Sequence, residues 1–412
     1  MRKHLGGKGA NDGASSGASS TSVKPVVALV GSTGYLGKSI VPVFAKAANE
    51  GQFAAFKILT SSTPKDELKS AASDKVTIVQ VDYASPASLE SALEGVDVLV
   101  SALGASKSTE AAQKSLVQAA AAAKVKVYFP SEWGTDLDVS PYPFPPLDAK
   151  TEHVEEARKA GLKTVVFVVG VFSDIILLPI SGWFTAPNTV HIPDSGKNKA
   201  VFTAKKHIVQ YALQAVILAA QDPAKFPDKV RVWDDNRSWD EYTAELEQVL
   251  GRELIKNVIP KEQLVQDFAA GPSIGGLGRL LAADGLTDYS DNHNELLNPG
   301  EKYFKRQTVG ETLKEGPTTK RTIVSREITL PTDRRWARWI SSLPIAKQHD
   351  QQVTFLGTSP PTGRSAPDPT MFAQPIPTLY NNARNFKVPK DRVTTRIRIW
   401  SASSPPITQV SH

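Results

Sequence analysis

The sequence predicts an α/β protein, a doubly wound parallel sheet with a smaller C-terminal region and disordered ends, on three observations. The first is the stretch Val26-Val27-Ala28-Leu29-Val30-Gly31-Ser32-Thr33-Gly34-Tyr35-Leu36-Gly37. There an apolar, β-branched run meets three glycines spaced three apart, and an apolar stripe at helical spacing follows (Leu36, Ile40, Val43, Phe44, Ala47). The second is that strand and helix periods alternate from there to about residue 170, which implies a parallel sheet covered on both faces. Right-handed crossovers make such a sheet doubly wound. The third is that the alternation stops, and the last ninety-six residues differ in kind.

In order, the expected strands are 26–30, 54–60, 76–81, 97–102, 125–129 and 163–169. The expected helices are 35–48, 86–93, 108–123 and 149–160. Ser85 before Pro86 reads as an N-cap with proline at the first helical position, and Glu94-Gly95 ends that helix. Ala111 to Lys124 is almost pure helix former. Beyond 170 the pattern supports helices near 205–220, 239–250 and 261–269 and strands near 229–233 and 255–259. The domain reading is a disordered leader 1–24, a dinucleotide-binding domain 25–170, an interleaved substrate region 171–316 over the carboxyl ends of the strands, and a mostly disordered tail 317–412. That tail holds twelve of the 29 prolines and no sustained period, so it cannot offset its ordering entropy. Trp336 to Ile345 and the alternating Val393 to Trp400 are its apolar spots.

Composition excludes several functions. With no cysteine among 412 residues there is no disulfide, thiolate nucleophile or Cys-based zinc site. The seven histidines have no metal-ligand spacing, and no G-x-S-x-G elbow occurs. The net charge of +6 divides unevenly: 317–412 carries fourteen Lys/Arg against five Asp/Glu, and 1–24 four against one, which leaves 25–316 at −6. A basic footprint for nucleic acid is missing where a binding surface would be. No apolar run is long enough to span a membrane, since Val165 to Leu178 is broken by Gly170 and Asp174. The start has no apolar h-region, so the expected location is cytoplasmic, with the nucleus also open.

The glycine turn carries the main chemical expectation. Gly31 permits a sharp turn, Gly34 lets backbone approach a pyrophosphate, and Gly37 lets helix and strand pack closely. After the second strand, Thr60-Ser61-Ser62-Thr63-Pro64-Lys65 has no carboxylate before Asp66. An acidic residue there would hold the ribose hydroxyls of NAD, so Ser61, Ser62 and Lys65 point to the 2′-phosphate of NADP instead. Asp82 after the third strand either accepts from an adenine amino group or caps the helix near Pro86. Small residues from Ser101 to Gly104, Ala102 among them, let backbone run beside a cofactor. Phe129-Pro130-Ser131-Glu132-Trp133-Gly134 follows the fifth strand, with Glu132 and Trp133 open between ligand-facing and structural roles. Lys150, near a helix start, is either a solvated lysine or a cleft residue that orients the nicotinamide ribose or trades a proton with substrate. The Tyr-x-x-x-Lys pair of ordinary short-chain dehydrogenases is absent.

These pieces resemble the NmrA-like and isoflavone-reductase-like atypical short-chain dehydrogenases, the fungal members especially. The resemblance rests on Gly31 to Gly37, Asp82 with Leu89, Gly95-Val96-Asp97-Val98-Leu99-Val100-Ser101, Gln113, and Phe129 to Asp136. It also includes Lys150, eleven residues before Gly161-Leu162, and Asn298-Pro299-Gly300-Glu301-Lys302-Tyr303-Phe304. It covers about 25–316 and implies a Rossmann domain binding NADP(H), a smaller substrate domain, and hydride transfer to a small aromatic or phenolic molecule. Cofactor contacts would come from Gly31, Thr33, Gly34, Tyr35, Leu36, Gly37, Ser61, Ser62, Lys65, Asp82, Ala102, Gln113, Ser131 and Glu132, with Lys150 catalytic and no metal. Some relatives instead bind the dinucleotide as redox-sensing regulators that report to a protein partner. The chain departs from the family pattern at Ser61 and Ser62, at Gly170 and at His207.

Overall fold

The structure, a computed structural model, describes residues 24–104, 107–178, 181–184 and 188–315 together with the strand segments 351–356, 374–375 and 396–401. The first half runs β1 (Val26–Val30), α1 (Gly37–Asn49), β2 (Ala55–Thr60), α2 (Asp66–Lys69), β3 (Val76–Gln80), α3 (Pro86–Leu93), β4 (Val98–Ser101), α4 (Lys107–Ala122), β5 (Val127–Phe129), α5 (Pro145–Lys159) and β6 (Lys163–Thr164). The strands form one parallel sheet in the order β3-β2-β1-β4-β5-β6. This is the doubly wound arrangement expected.

Alternation along the strands sorts the core onto two faces. Val27 and Leu29 of β1, with Phe56, Ile58, Val98 and Val100, join Ile40 and Phe44 of α1 on one face. Ala28, Val30, Leu59, Leu99 and Tyr128 join Leu89, Leu116 and Ala157 of α3, α4 and α5 on the other. α3 spans its expected residues, with the Ser85 hydroxyl accepting from the Ser88 N–H at 3.3 Å and Gly95 at φ +69° just past the end.

The strand expected at 163–169 is divided. Val165 still donates to the Tyr128 carbonyl at 2.9 Å, but Val166 donates to Asp228, also at 2.9 Å. The chain thus leaves β5 and continues as β7 (Val166–Val168) and β8 (Val171–Phe172). Gly170 makes the bend at φ +66°, and a Cβ there would collide with Val201. A side chain at this position has no room.

The remaining elements are β9 (Thr189–Pro193), β10 (Lys199–Thr203), α6 (Lys205–Gln221), β11 (Lys229–Arg231), β12 (Asp235–Ser238), α7 (Trp239–Leu250), β13 (Ile255–Ile259), α8 (Lys261–Ala270), α9 (Ile274–Ala283), α10 (Asn294–Leu297) and α11 (Val309–Glu315). β7 pairs with β11 and β8 with β10. The described chain gathers into two compact units. One takes the residues up to Phe172 plus Ala200–Asn236 and Leu286–Arg306, so α6 packs its Ile208, Ala212, Ala215 and Val216 into the α1 side of the sheet. The other takes Ser173–Lys199, Arg237–Gly285 and the residues from Gln307. In it Trp183 stacks on Trp239 with ring centroids 3.6 Å apart, and β9 pairs with β13.

Residues 1–23 and most of 317–412 lie outside the described residues, as does the apolar spot Trp336 to Ile345. Within the stretch expected to be disordered, β14 (Gln351–Leu356), β15 (Gln374–Pro375) and β16 (Arg396–Ser401) pair as antiparallel strands in the order β15-β14-β16. β16 falls in the alternating stretch around 393–400, which is its local signal. No helix among the described residues is long and apolar enough to cross a membrane.

Candidate active site

Because β1 to β5 run in one direction, the turns that follow them gather at one edge of the sheet, where ligands of open α/β sheets bind. In the β1–α1 turn, Gly31 has φ +80°, and a Cβ on it would stand 2.5 Å from the Ala102 carbonyl. A Cβ on Gly37 would overlap the Gly31 carbonyl oxygen. Both glycines are therefore fixed by backbone packing against neighbouring turns. Gly34 differs: its Cβ would meet only Gly31 and Ala102 oxygens, at 3.2 and 3.4 Å. α1 has no side-chain cap and no acidic residue in its first turn. Among the described residues, the N–H groups of Leu36 and Gly37 donate to nothing within the chain. Free donors at the start of a thirteen-residue helix fit a pyrophosphate. Leu36 is buried, while Thr33 and Tyr35 are exposed. The Tyr35 ring lies on Phe172 at 5.8 Å, with the Lys205 ammonium 4.1 Å from its centre.

After β2, Ser61, Ser62 and Lys65 are all exposed. The Ser62 N–H donates to the buried Thr60 hydroxyl at 3.4 Å, which folds the turn on itself, and Lys65 is the N-cap residue of α2. After β3, Asp82 is exposed and its Oδ1 accepts from the Ala84 N–H at 2.9 Å. Ser85 caps α3, so Asp82 shapes the turn before the cap. Gln113 is buried on α4, and no hydrogen bond of the described residues ties it to these turns.

The ends of β4 and β5 are laced together. Ser131 Oγ donates to the Leu103 carbonyl at 2.6 Å, and Trp133 Nε1 donates to the Ser101 carbonyl at 2.7 Å. Trp133 also packs on Phe167 at 5.1 Å, so it is an anchor for the turn. The Ser131 hydroxyl proton is committed to the fold, leaving its lone pairs for a ligand. The same turn is fastened further on at Asp136, which accepts from Lys229 at 2.8 Å and from Arg231 at 2.8 and 3.0 Å. Burial raises the Asp136 pKa, but those hydrogen bonds and charges outweigh it and hold the group below the usual carboxylate range.

Lys150 Nζ donates to the Ser131 carbonyl at 2.5 Å. Its helix begins earlier than the sequence predicts. Pro145-Pro146 sit in the first turn, where their fixed φ suits a helix start, and Asp148 accepts from the Phe144 N–H at 3.2 Å. Lys150 is thus the sixth helical residue, in the second turn, and largely escapes the dipole cost of a helix N-terminus. Glu132 is 6 % exposed, and among the described residues its carboxyl group makes no hydrogen bond. Burial pushes its pKa from 4.5 up to about 7, against the opposing charge of Lys150 and with help from Asp138. One turn beyond Lys150, the buried His153 meets the Tyr128 hydroxyl at 2.8 Å, and its Nδ1 has no partner. Burial, with the charges of Lys114 and Lys150, lowers its pKa from 6.5 to about 4.

These two groups give opposite pH dependences. Glu132 contributes stability below about 4.5 that is lost as pH rises through about 7. His153 contributes stability above about 6.5 that is lost as pH falls through about 4. Relative to wild type, Glu132→Gln should therefore gain on the order of 2–3 kcal/mol between pH ~4.5 and pH ~8. His153→Gln should gain by a similar amount between pH ~6.5 and pH ~4. Urea unfolding at stepped pH measures both; parallel curves for wild type and variants would remove these assignments.

Two buried pairs escaped the sequence reading. Tyr128 and His153 stand on separate elements, and only the i, i+3 spacing of Lys150 and His153 hinted that His153 lies near the site. His207 Nδ1 meets Asp234 Oδ2 at 2.7 Å, and its ring stacks on Phe304 at 4.5 Å. Thus His207, on α6, holds Phe304 of the 298–304 segment against that helix. Among the described residues no cluster of metal ligands occurs.

The NmrA-like family model matches residues 23–291. The chain belongs to the NmrA-like family. It is 29% identical over 274 residues to phenylcoumaran benzylic ether reductase TP7 of Nicotiana tabacum, covering 60% of this chain and 82% of the relative. It is 30% identical over 267 residues to the isoflavone reductase homolog IRL of Zea mays, covering 61% and 82%. Among solved structures, AtPrR2 with NADP+ and (+)pinoresinol superposes with a TM-score of 0.58 at 24% identity, over 71% of this chain and 98% of that one. The leucoanthocyanidin reductase–NADPH complex of Vitis vinifera gives 0.56 at 18%, over 69% and 97%. These likenesses establish the Rossmann-type fold of the NmrA-like chain.

Proposed function

We propose that this NmrA-like protein is an NADPH-dependent reductase acting on a small aromatic or phenolic substrate, with Lys150 handling the proton. The observation that carries the reading is the Lys150 ammonium held on the Ser131 carbonyl, at the strand edge where the glycine turn, the β4 end and the β5 end are laced together. Relatives named as benzylic ether, isoflavone and eugenol-forming enzymes support the substrate class.

The residues fit the dinucleotide. The free N–H groups of Leu36 and Gly37 would take the pyrophosphate, with Gly31, Thr33, Gly34 and Tyr35 shaping the turn. Ser61, Ser62 and Lys65 would hold the 2′-phosphate, Asp82 the adenine, and the Ala102 backbone would run alongside. When bound, NADPH supplies the hydride. Lys150, with its nitrogen fixed on Ser131, orients a polar atom of the substrate and gives a proton to whichever atom gains negative charge. Turns laced by Ser131, Trp133 and Asp136 keep that donor in place without reorganisation.

The adenosine end has its own test. Ser61→Asp should weaken NADPH binding at least about 10-fold and improve NADH binding, because a carboxylate repels a 2′-phosphate and accepts from a free hydroxyl. Equal wild-type affinity for NADH and NADPH would contradict the assignment. The function itself is tested by dinucleotide titration followed by a panel of enones, ketones and phenolic ethers, read as NADPH consumption. Turnover with at least one member is expected. Tight binding with no turnover would place the chain among regulatory members that signal through a protein partner.

A further inference from the structure

We propose that Glu132 is a positioning residue for Lys150, a buried acid that returns a proton to the lysine after the lysine has given its own to substrate. This rests on the reading of Lys150 above and supplies the second acid/base group that the missing Tyr-x-x-x-Lys pair left open.

The geometry comes first. Glu132 directly follows Ser131, whose carbonyl oxygen accepts from Lys150 Nζ at 2.5 Å. Its side chain is buried at 6 % exposure in a turn fixed at Ser131, Trp133 and Asp136. Lys229 and Arg231 saturate Asp136, whereas Glu132 has no hydrogen bond among the described residues. A carboxyl on a side chain so largely buried, with no donor among the described residues, is costly to ionise, and sites where that cost is retained are where function concentrates. The groups acting electrostatically on it are the Lys150 ammonium from α5 and Asp138 from the loop beyond the turn. Among the described residues no ion pair joins Glu132 to Lys150. What links them is the Ser131 carbonyl, which accepts from Lys150 Nζ one residue before Glu132, and the pull of the Lys150 charge on the Glu132 carboxyl. A lysine on its four-carbon stem can exchange that carbonyl for the adjacent carboxyl by rotating its side chain.

The step balances. The substrate atom that gains negative charge on reduction forms a bond to a Lys150 proton, and the N–H bond breaks to leave a neutral amine. The Glu132 carboxylic acid gives its proton to that amine, restoring ammonium and leaving carboxylate. Solvent protonates Glu132 before the next turnover. A carboxyl group titrating at about 7 is matched to that duty near neutral pH.

The test has two readouts on the full-length chain. Infrared difference spectroscopy during a pH titration, without cofactor, should show a carboxylic acid C=O band disappearing near neutral pH in wild type and missing in Glu132→Gln. If every carboxyl band is gone by about pH 5, Glu132 is an ordinary carboxylate and the proposal fails. The second readout is the pH profile of kcat in wild type, Glu132→Gln, Glu132→Asp and Lys150→Ala, with melting temperatures to confirm folding. Glu132→Gln should lose at least about 10-fold in kcat together with the alkaline limb near neutral pH, and Glu132→Asp should recover part of both. A Glu132→Gln profile that matches wild type, beside a dead Lys150→Ala, overturns the role of Glu132 and leaves the function standing. Normal turnover in Lys150→Ala overturns the reading of the site itself.

Discussion

Replacing Lys150 by alanine is expected to lower turnover by about 10² to 10⁴ while leaving a folded protein that binds NADPH. The rate falls because the ammonium seated on the Ser131 carbonyl is lost, and with it the proton donor. Stability should drop by up to about 2 kcal/mol, since a charged hydrogen bond disappears from a half-buried position. NADPH affinity should change little, because the glycine turn and the β2 and β3 turns lie on other strands. Lys150→Arg should not restore the rate, as guanidinium does not release its proton near neutral pH. Melting temperature, NADPH affinity and kcat on the same preparations decide it. A normal kcat in the alanine variant would leave Lys150 a structural tie between α5 and the Ser131 turn.

The second large effect is expected at Gly31. Gly31→Ala would force a left-handed alanine and push its Cβ to 2.5 Å from the Ala102 carbonyl. The cost should be on the order of 3 kcal/mol, with NADPH binding lost as the β1 and β4 turns are driven apart. Gly95→Ala is the control, because Gly95 also has positive φ (+69°) but a Cβ there meets nothing within 4 Å. It should cost only about 1 kcal/mol. Gly34→Ala should separate binding from folding: its Cβ meets only two oxygens at 3.2 and 3.4 Å. Stability should fall by less than about 1 kcal/mol while dinucleotide affinity falls further. Chemical denaturation and fluorescence titration on the three variants measure both quantities. Equal losses at Gly31 and Gly95 would mean the contact with Ala102 does not constrain the turn.

How much was legible in the sequence follows from how local each cause is. The β1 turn was readable because strand period, glycine spacing and helical stripe all occur within one short stretch. α3 was readable because Ser85, Pro86 and Gly95 are chemical signals at fixed offsets. The start of α5 was placed too late because prolines crowd 141–146, and only the structure shows that Pro145-Pro146 form the first turn. α9 was missed because Gly275, Gly276 and Gly278 argue against a helix. Its Gly275 is explained only by the close approach of Gly182, where a Cβ would lie 2.6 Å from the Gly182 Cα. Glu132 and Trp133 stayed ambiguous for the same reason. Trp133 is settled by the Ser101 carbonyl and Phe167, and Glu132 is buried in a way that no local pattern signals. The pairs Tyr128–His153 and His207–Asp234 lie 25 and 27 residues apart in sequence, beyond the reach of any periodic pattern.

Hydride transfer is the central claim, and isotope transfer tests it most directly. NADPH carrying deuterium at the nicotinamide C4 is incubated with wild-type protein and each member of the enone, ketone and phenolic ether panel, and products are read by mass spectrometry. The account predicts deuterium on carbon in at least one product, with the label absent in the Lys150→Ala reaction over the same time. Saturable NADPH binding with no deuterium in any product would contradict it.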